Sequence, residues 1–493
     1  MPISISSRTL GHSLVSKREV FGAVLAVLVG IVVVARAVNV PITYDESYSI
    51  QIAHIARNPL IANNHPLNTL WLSLAWVLPF GDWEVGYRLL SLISFGLFSV
   101  GALRLMRGLK SNIVYWLALV ALFASPLLIE FWSLARGYAL ATAATAWLLS
   151  ELMFPRATSW RGDRLWMFSP VVVWGLVAFY SNFATLFLVA TAWVVFAWHR
   201  IPLKPGWPLL RDWIRAVGVP SLLLAPGIVW LVALAFTDKL YYSGEKGLVP
   251  DTLQSLLRET TDGFSWFDSY TLGIAWAVAA LLLLGSVTSI VSSRVTADSG
   301  ARRLHFVVLG TGLLWLTAHY AAGAGYPISR TATFAIVLVV VGIAYAADEL
   351  LPDESSSKSG IRKRRSGSIF QTAIGWALAG ALAILSLGTV ASFVASWSVT
   401  RADSWSFDQD ADRAAEKVLG EGSLRSQWCG FVTPLQAIEF YIEARAELPP
   451  SPTCSADFMG TTYWAVAEGD PIPEGAELKA QFPDSGWNLY RAN

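Results

Sequence analysis

The stretch VFGAVLAVLVGIVVVARAVNVPITYDESYSI, residues 20–50, decides how the rest of the chain is read. Its first part is apolar and carries no charge before Arg36, long enough to cross a hydrocarbon core of about 30 Å. Its second part opens with adjacent carboxylates, Asp45 and Glu46, at the mouth of that span. A charge costs about 2.5–3.5 kcal/mol at a bilayer centre and less at the interface, so the pair asks for a reason. One reason is local: Asp and Ser suit helix N-termini, so DES can be a simple cap. The other is chemical. Topology separates them.

Outward from that stretch the pattern repeats. The chain has 493 residues, of which 54% are hydrophobic and only 14% charged, against about 25% charged in soluble domains. Its mean hydropathy is +0.50. Apolar blocks at about 19–39, 84–106, 112–130, 136–153, 166–180, 183–198, 216–236, 270–292, 304–320, 331–347 and 369–398 predict eleven transmembrane helices. The 23 tryptophans suit the two interfacial belts. A net charge of +1, with no basic patch interleaved with aromatics, points away from nucleic acid. The expected class is an all-α polytopic membrane protein.

The basic residues orient it. One set of connectors is enriched in them: Lys17 and Arg18; Arg104, Arg107 and Lys110; Arg302 and Arg303; and the run DESSSKSGIRKRRSGS at 353–368. The opposite set is sparse. The positive-inside rule therefore places the N-terminus in the cytoplasm and the C-terminus outside. The first apolar segment lacks a small-residue cleavage site and reads as a retained span. The expected organisation is a transmembrane unit over 1–398, with a long first outer loop at about 40–83 and a cytoplasmic linker at about 350–368, followed by an extracytoplasmic unit over 399–493. That last part is polar from residue 401, with 15 acidic against 7 basic residues, and short aromatic runs suggest a small α/β domain. It holds both cysteines, Cys429 and Cys454. On an oxidising side they are expected to pair; two buried thiols are the alternative.

This topology puts Asp45 and Glu46 on the outer face. The segment 66–80 in the same loop is too short to span and is expected to lie along the interface, walling a cavity. A carboxylate in such a wall suits general-base work. The same face carries His65 in HPLN, Arg136 in LARGYAL, Arg330 in GYPISRTATF, and Lys239 with Tyr241 and Tyr242 in TDKLYYSGEK. A lone arginine at a span end usually only snorkels. Two of them facing a carboxylate pair also suit an anionic ligand, for which Arg offers a planar fork. His54, His65 and His319 fall on this side as well and with Asp45 or Glu46 leave a divalent metal open, though none shows a ligand spacing. No cofactor motif redirects the reading.

HPLNTLWLSLAWVLPFG (65–81), EVGYRLLSLISFGLFSVGALRLMRGL (84–109) and SPLLIEFWSLARGYALATAATAWLL (125–149), after the DE pair, resemble the GT-C glycosyltransferases. The branch is that of dolichyl-phosphate-mannose protein mannosyltransferases and aminoarabinose transferases. The likeness is good over about 20–200, looser to 350 and absent from the C-terminal part. It implies transfer of a sugar from a polyprenyl-phosphate donor to a glycan, lipid or protein acceptor on the outer face, with inversion. Asp45 then matches the family's proposed catalytic base and Glu46 its neighbour. His65 and Pro66 match the start of an HPP-like helix in which Leu67 replaces the second proline. Arg136 and Tyr138 match an RxY-type element. Arg330 is followed by Thr331 where the family often has RY, and Lys239 can substitute by position. A transporter or flippase of a lipid-linked intermediate is the alternative, as is a catalytically silent scaffold; the scarcity of charge within the spans disfavours transport.

Overall fold

The computed structural model describes residues 17–55, 65–78, 84–155, 169–201, 207–237, 243–261, 268–292, 299–352 and 369–395, and in the C-terminal region 398–402, 410–420, 426–429, 437–438, 441, 461–467, 472, 475–483 and 485–492. In chain order the helices are α1 (Lys17–Asn39), α2 (Tyr44–Ile55), α3 (Pro66–Val77), α4 (Glu84–Met106), α5 (Asn112–Phe123), α6 (Pro126–Ser133), α7 (Gly137–Met153), α8 (Pro170–Ser181), α9 (Leu186–Arg200), α10 (Trp207–Trp213), α11 (Val219–Phe236), α12 (Gln254–Thr260), α13 (Thr271–Val291), α14 (Gly300–Ala322), α15 (Thr333–Leu350) and α16 (Ile369–Ala395).

Each of the expected apolar blocks is helical, yet they are not all simple spans. Among the described residues seven helices are long and apolar enough to cross a membrane, or eight if the bent pair α5–α6 is one span. The block at 112–130 breaks where Pro126, which has no N–H, pushes Ser125 into an extended conformation, and the two axes bend by 49°. α8 and α9 are short, at 12 and 15 residues. Broad apolar faces point outward: Phe21, Val27 and Ile31 on α1, Phe236 on α11 and Leu387 on α16 are exposed. Uncovered faces of this size are what lipid covers. The chain is a multi-pass membrane protein. α7 and α15 are buried along most of their length and form the centre of the bundle.

The segment expected at the interface is helix α3. Pro66 at its first position is preset for helical φ. Asn68, Leu72 and Ala75 face inward, while Leu70, Trp76 and Val77 are exposed.

The bundle has two polar ends. At the end assigned to the cytoplasm Arg104 pairs with Glu151 and donates to the Phe154 carbonyl at 2.8 Å. Asp348 there accepts the backbone N–H groups of Lys110 (3.0 Å) and Ser111 (2.7 Å), closing the start of α5. At the other end sit α2, α3 and the C-terminal region. Besides the two-residue strands β1 (Ser243–Gly244) and β2 (Tyr326–Pro327), which pair antiparallel outside it, the chain has in that region α17 (Ala411–Gly420) and a four-stranded sheet of β3 (Ser426–Cys429), β4 (Thr461–Ala467), β5 (Glu477–Phe482) and β6 (Trp487–Ala492). The strand order is β3-β4-β6-β5, with β3 and β4 parallel and the other pairs antiparallel. It is thus a small α/β unit. Cys429 lies on β3, whereas Cys454 and the run 353–368 lie outside the described residues.

Asp348 is buried, and Asp348→Ala removes the acceptor of two backbone donors at a partly exposed helix start, a loss of about 0.5–1.5 kcal/mol for each bond. We expect the thermal unfolding midpoint of the purified protein to drop by several degrees; an unchanged midpoint would show that water satisfies those groups.

Candidate active site

The structure separates the two adjacent carboxylates. Thr43 and Glu46 form a capping box at the start of α2: the Thr43 backbone N–H donates to Glu46 Oε2 at 3.0 Å, and the Glu46 N–H to Thr43 Oγ1 at 3.4 Å. Arg88 on α4 then grips the same carboxylate with Nε on Oε1 and Nη2 on Oε2, both at 2.8 Å, and both side chains are fully buried. The Ala135 N–H adds a bond to Oε1 at 2.6 Å. Burial alone would raise the Glu46 pKa; the Arg88 charge and bonds, helped by the two backbone donors, outweigh it and hold the carboxyl below its usual range. Arg88 also donates to the carbonyls of Ala37 (2.9 Å), Val40 (2.6 Å) and Pro41 (3.0 Å), closing the end of α1.

Ala135 belongs to the three-residue linker 134–136 between α6 and α7, and that linker is pinned from several sides. Ser91 Oγ donates to the Leu134 carbonyl at 2.6 Å and Asn68 Nδ2 to the Ala135 carbonyl at 3.0 Å. Arg136 is thereby delivered to Asp45. Its Nη1 donates to the Asp45 carbonyl at 2.9 Å and to Ser49 Oγ at 2.8 Å, and its Nη2 stands 3.5 Å from Asp45 Oδ2.

Arg330 reaches the same oxygen from across the bundle, its Nη1 2.6 Å from Asp45 Oδ2. It sits on a 3-10 turn, Ser329–Ala332, whose first residue has a left-handed φ of +47°. That conformation costs a non-glycine residue about 1–2 kcal/mol. Surrounding bonds hold it. The Ser329 N–H donates to Ser255 Oγ (2.8 Å), the Ser329 hydroxyl to Glu259 Oε1 (2.7 Å), and Asn182 Nδ2 to the Thr331 carbonyl (2.9 Å). Arg136 and Arg330, 91 and 285 residues from Asp45 in sequence, therefore meet at its carboxylate.

His65 stands beside this centre. Its Nδ1 contacts the Ser181 carbonyl at 2.9 Å; a carbonyl can only accept, so Nδ1 carries the proton and Nε2 the lone pair. Burial, then the charges of Arg136 and Arg330, push the imidazole well below its usual pKa, so it is neutral. Its ring lies edge-on to Tyr138, centroids 4.5 Å apart, and the Arg136 guanidinium lies 5.6 Å from the Tyr138 centroid. The intervening glycine is required: a Cβ on Gly137 would come within 2.5 Å of the Ser181 carbonyl and 2.6 Å of the His65 Cβ.

Lys239, Tyr241 and Tyr242 lie outside the described residues, as does the side chain of His54. His319 is at the end of α14, its Nδ1 2.9 Å from the Ala324 carbonyl and its ring against Tyr326. Among the described residues no group of three or more His, Cys, Asp or Glu side chains could hold a metal ion. Sequence reasoning missed Arg88, Ser91, Asn68, Asn182, Ser255, Glu259 and Ser329. Only the T-x-x-E pattern of Thr43 and Glu46 offered a local signal for any of this.

No family model matches the chain, and no curated protein matches it either. Solved structures do. The crystal structure of ArnT from Cupriavidus metallidurans bound to undecaprenyl phosphate superposes with a TM-score of 0.54 over 96% of this chain and 97% of that one, at 12% identity. The chain has the fold of ArnT. ArnT in the apo state gives a TM-score of 0.53 with the same coverage and identity. A slighter likeness to mycobacterial arabinofuranosyltransferase AftD has a TM-score of 0.40 and 16% identity, covering 84% of this chain and 31% of that one. At 12% identity the likeness to ArnT is one of fold, end to end and including the C-terminal region, and the chemistry must be argued from the residues above.

Two outcomes are expected. Glu46→Ala leaves Arg88 buried without its partner and should cost about 3–5 kcal/mol, read by chemical or thermal unfolding. A loss under about 1 kcal/mol would mean that the pair is not the clamp described. The second concerns pH. His65 binds its proton near the ordinary value of 6.5 when unfolded but only at much lower pH when folded, so acidification below 6.5 favours the unfolded chain. His65→Gln should flatten that part of the stability profile, whereas an unchanged slope would place the titration elsewhere.

Proposed function

We propose that the protein is a membrane glycosyltransferase that moves a sugar from a polyprenyl-phosphate donor to an acceptor, with Asp45 as general base. The observation carrying this reading is the convergence of Arg136 and Arg330 on the Asp45 carboxylate, 3.5 and 2.6 Å from Oδ2. A base beside two fixed cations is what such a reaction needs. Asp45 takes the proton of the acceptor hydroxyl, whose oxygen attacks the anomeric carbon as the bond to the lipid phosphate breaks. The departing phosphate meets guanidinium groups placed where its charge develops, and such preorganised partners act strongly in a site shielded from water. Backside attack on that carbon inverts it. Arg330, the more exposed of the two cations, is the one an arriving phosphate reaches first, and its departure from Oδ2 frees the base.

Several facts support this assignment. ArnT, whose fold the chain shares end to end, was captured with undecaprenyl phosphate. The ionisable side chains of the long helices lie near the two bundle ends among the described residues, which disfavours a transport path through the midplane. Glu46, with its oxygens engaged by Arg88, Ala135 and Thr43, is a positioning residue in this scheme and not a second base. The acceptor is a hydroxyl of a glycan, lipid or protein. The site faces the outer side of the cell membrane, the N-terminus is cytoplasmic, and the C-terminal unit is extracytoplasmic. Lys239, Tyr241 and Tyr242 are proposed to extend the donor site, and Cys429 and Cys454 to form a disulfide.

Asp45→Asn in the purified protein, supplied with polyprenyl-phosphate sugars and candidate acceptors, is expected to lose transfer by about 10²–10⁴-fold while still binding undecaprenyl phosphate. Full transfer by a stably expressed Asp45→Asn protein would overturn the base assignment.

A further inference from the structure

The C-terminal region reaches the framework of the site through one hydroxyl. Tyr441 is 4% exposed. Its Oη accepts the backbone N–H of Ile42 at 2.7 Å and donates to Glu84 Oε1 at 2.8 Å. Ile42 precedes the Thr43 cap of α2. Glu84 opens α4, and its Oε2 lies 3.9 Å from Nη1 of Arg88, the residue that grips Glu46. The tyrosine thus bridges the strand of chain entering α2 and the helix that clamps it. An apolar seal surrounds this bridge: Ile42, Leu72 and Tyr87 share a buried cluster with Ala415, Ile438 and Trp487. A second tether lies nearby, where the Arg36 guanidinium donates to the Ser398 carbonyl.

We propose that Tyr441 is a positioning residue for Asp45, so that the docked C-terminal region is a working part of the transfer site. The proposal rests on the transferase reading above. α2 has 12 residues, and a helix of about that length is marginal unless packing and caps hold it. The end that carries Asp45 is held on one side by Arg88 and on the other by the Tyr441 hydroxyl. The Ile42 N–H is buried, and without that oxygen it is left facing an apolar cluster. Freed from it, the first turn of α2 can shift relative to Arg136 and Arg330, and a displacement of about 1 Å at a reacting group costs on the order of 10²-fold in rate. The ring of Tyr441 accounts for docking; the hydroxyl accounts for register.

The test uses the full-length protein in lipid nanodiscs with Tyr441→Phe, which keeps the ring and removes the hydroxyl. Three quantities are read: sugar-transfer kcat, KM for the polyprenyl-phosphate donor, and backbone hydrogen exchange. The expected result is a kcat lower by about 10–100-fold with KM within about twofold. Exchange should be faster at 42–50, with protection of 461–467 and 487–492 unchanged. Unchanged kcat and unchanged exchange at 42–50 overturn the proposal. Loss of protection across the sheet also overturns it, since Tyr441 would then serve folding in general. Should the unmodified protein transfer no sugar from any polyprenyl-phosphate donor, the transferase reading fails, and the exchange at 42–50 still reports whether the hydroxyl sets the register of α2.

Discussion

Everything at the polar end of this bundle hangs on the ion pair of Glu46 and Arg88. It joins the cap of a short helix to a long membrane helix, the end of another and the linker before a third. A fully buried pair is poor evidence of net stability, because desolvating two charges is expensive. Its effect is one of geometry. With both oxygens of Glu46 occupied, α2 has one rotation and one height relative to α4. The neighbouring carboxylate, Asp45, then projects from the same turn into the space that Arg136 and Arg330 reach.

The two arginines arrive by different means. Arg136 comes from a linker whose backbone groups are engaged by Glu46, Ser91 and Asn68, and it is wholly buried. Arg330 comes from a single strained turn tied to α12 and Asn182. One is part of the scaffold and the other stands at its edge. A site built this way holds its carboxylate rigidly and still offers a cation to an incoming anion.

Much of this was legible in the sequence, for definable reasons. Apolar block length encodes the long helices directly, because the bilayer imposes their length and composition. Asp45, Arg136 and Arg330 stood out as charges where charge is scarce. The bent α5–α6 pair and the short α8 and α9 were less legible, since hydropathy averages over a proline break. Arg88 was hidden within an otherwise ordinary span, where it reads as a snorkelling cation; only the fold shows that it turns inward. Ser329 was invisible for a different reason: nothing in a serine announces a positive φ. A helix cap does lie at the DES stretch, but it is made by Thr43 and Glu46 and not by Asp45 or Ser47, and the Asp45 carboxylate turns to Arg136 and Arg330.

The turn at Ser329 has a consequence in kinetic terms. A glycine there would relieve the backbone but surrender the hydroxyl bond to Glu259 and let the turn sample many shapes. With serine the turn holds one shape, and the end of Arg330 is presented at one place. Capture of an anion is then governed by the arrival of the anion, without a search by the cation. A stiff, slightly strained turn gives the Arg330 side chain a fixed base from which to leave Asp45 and meet the anion.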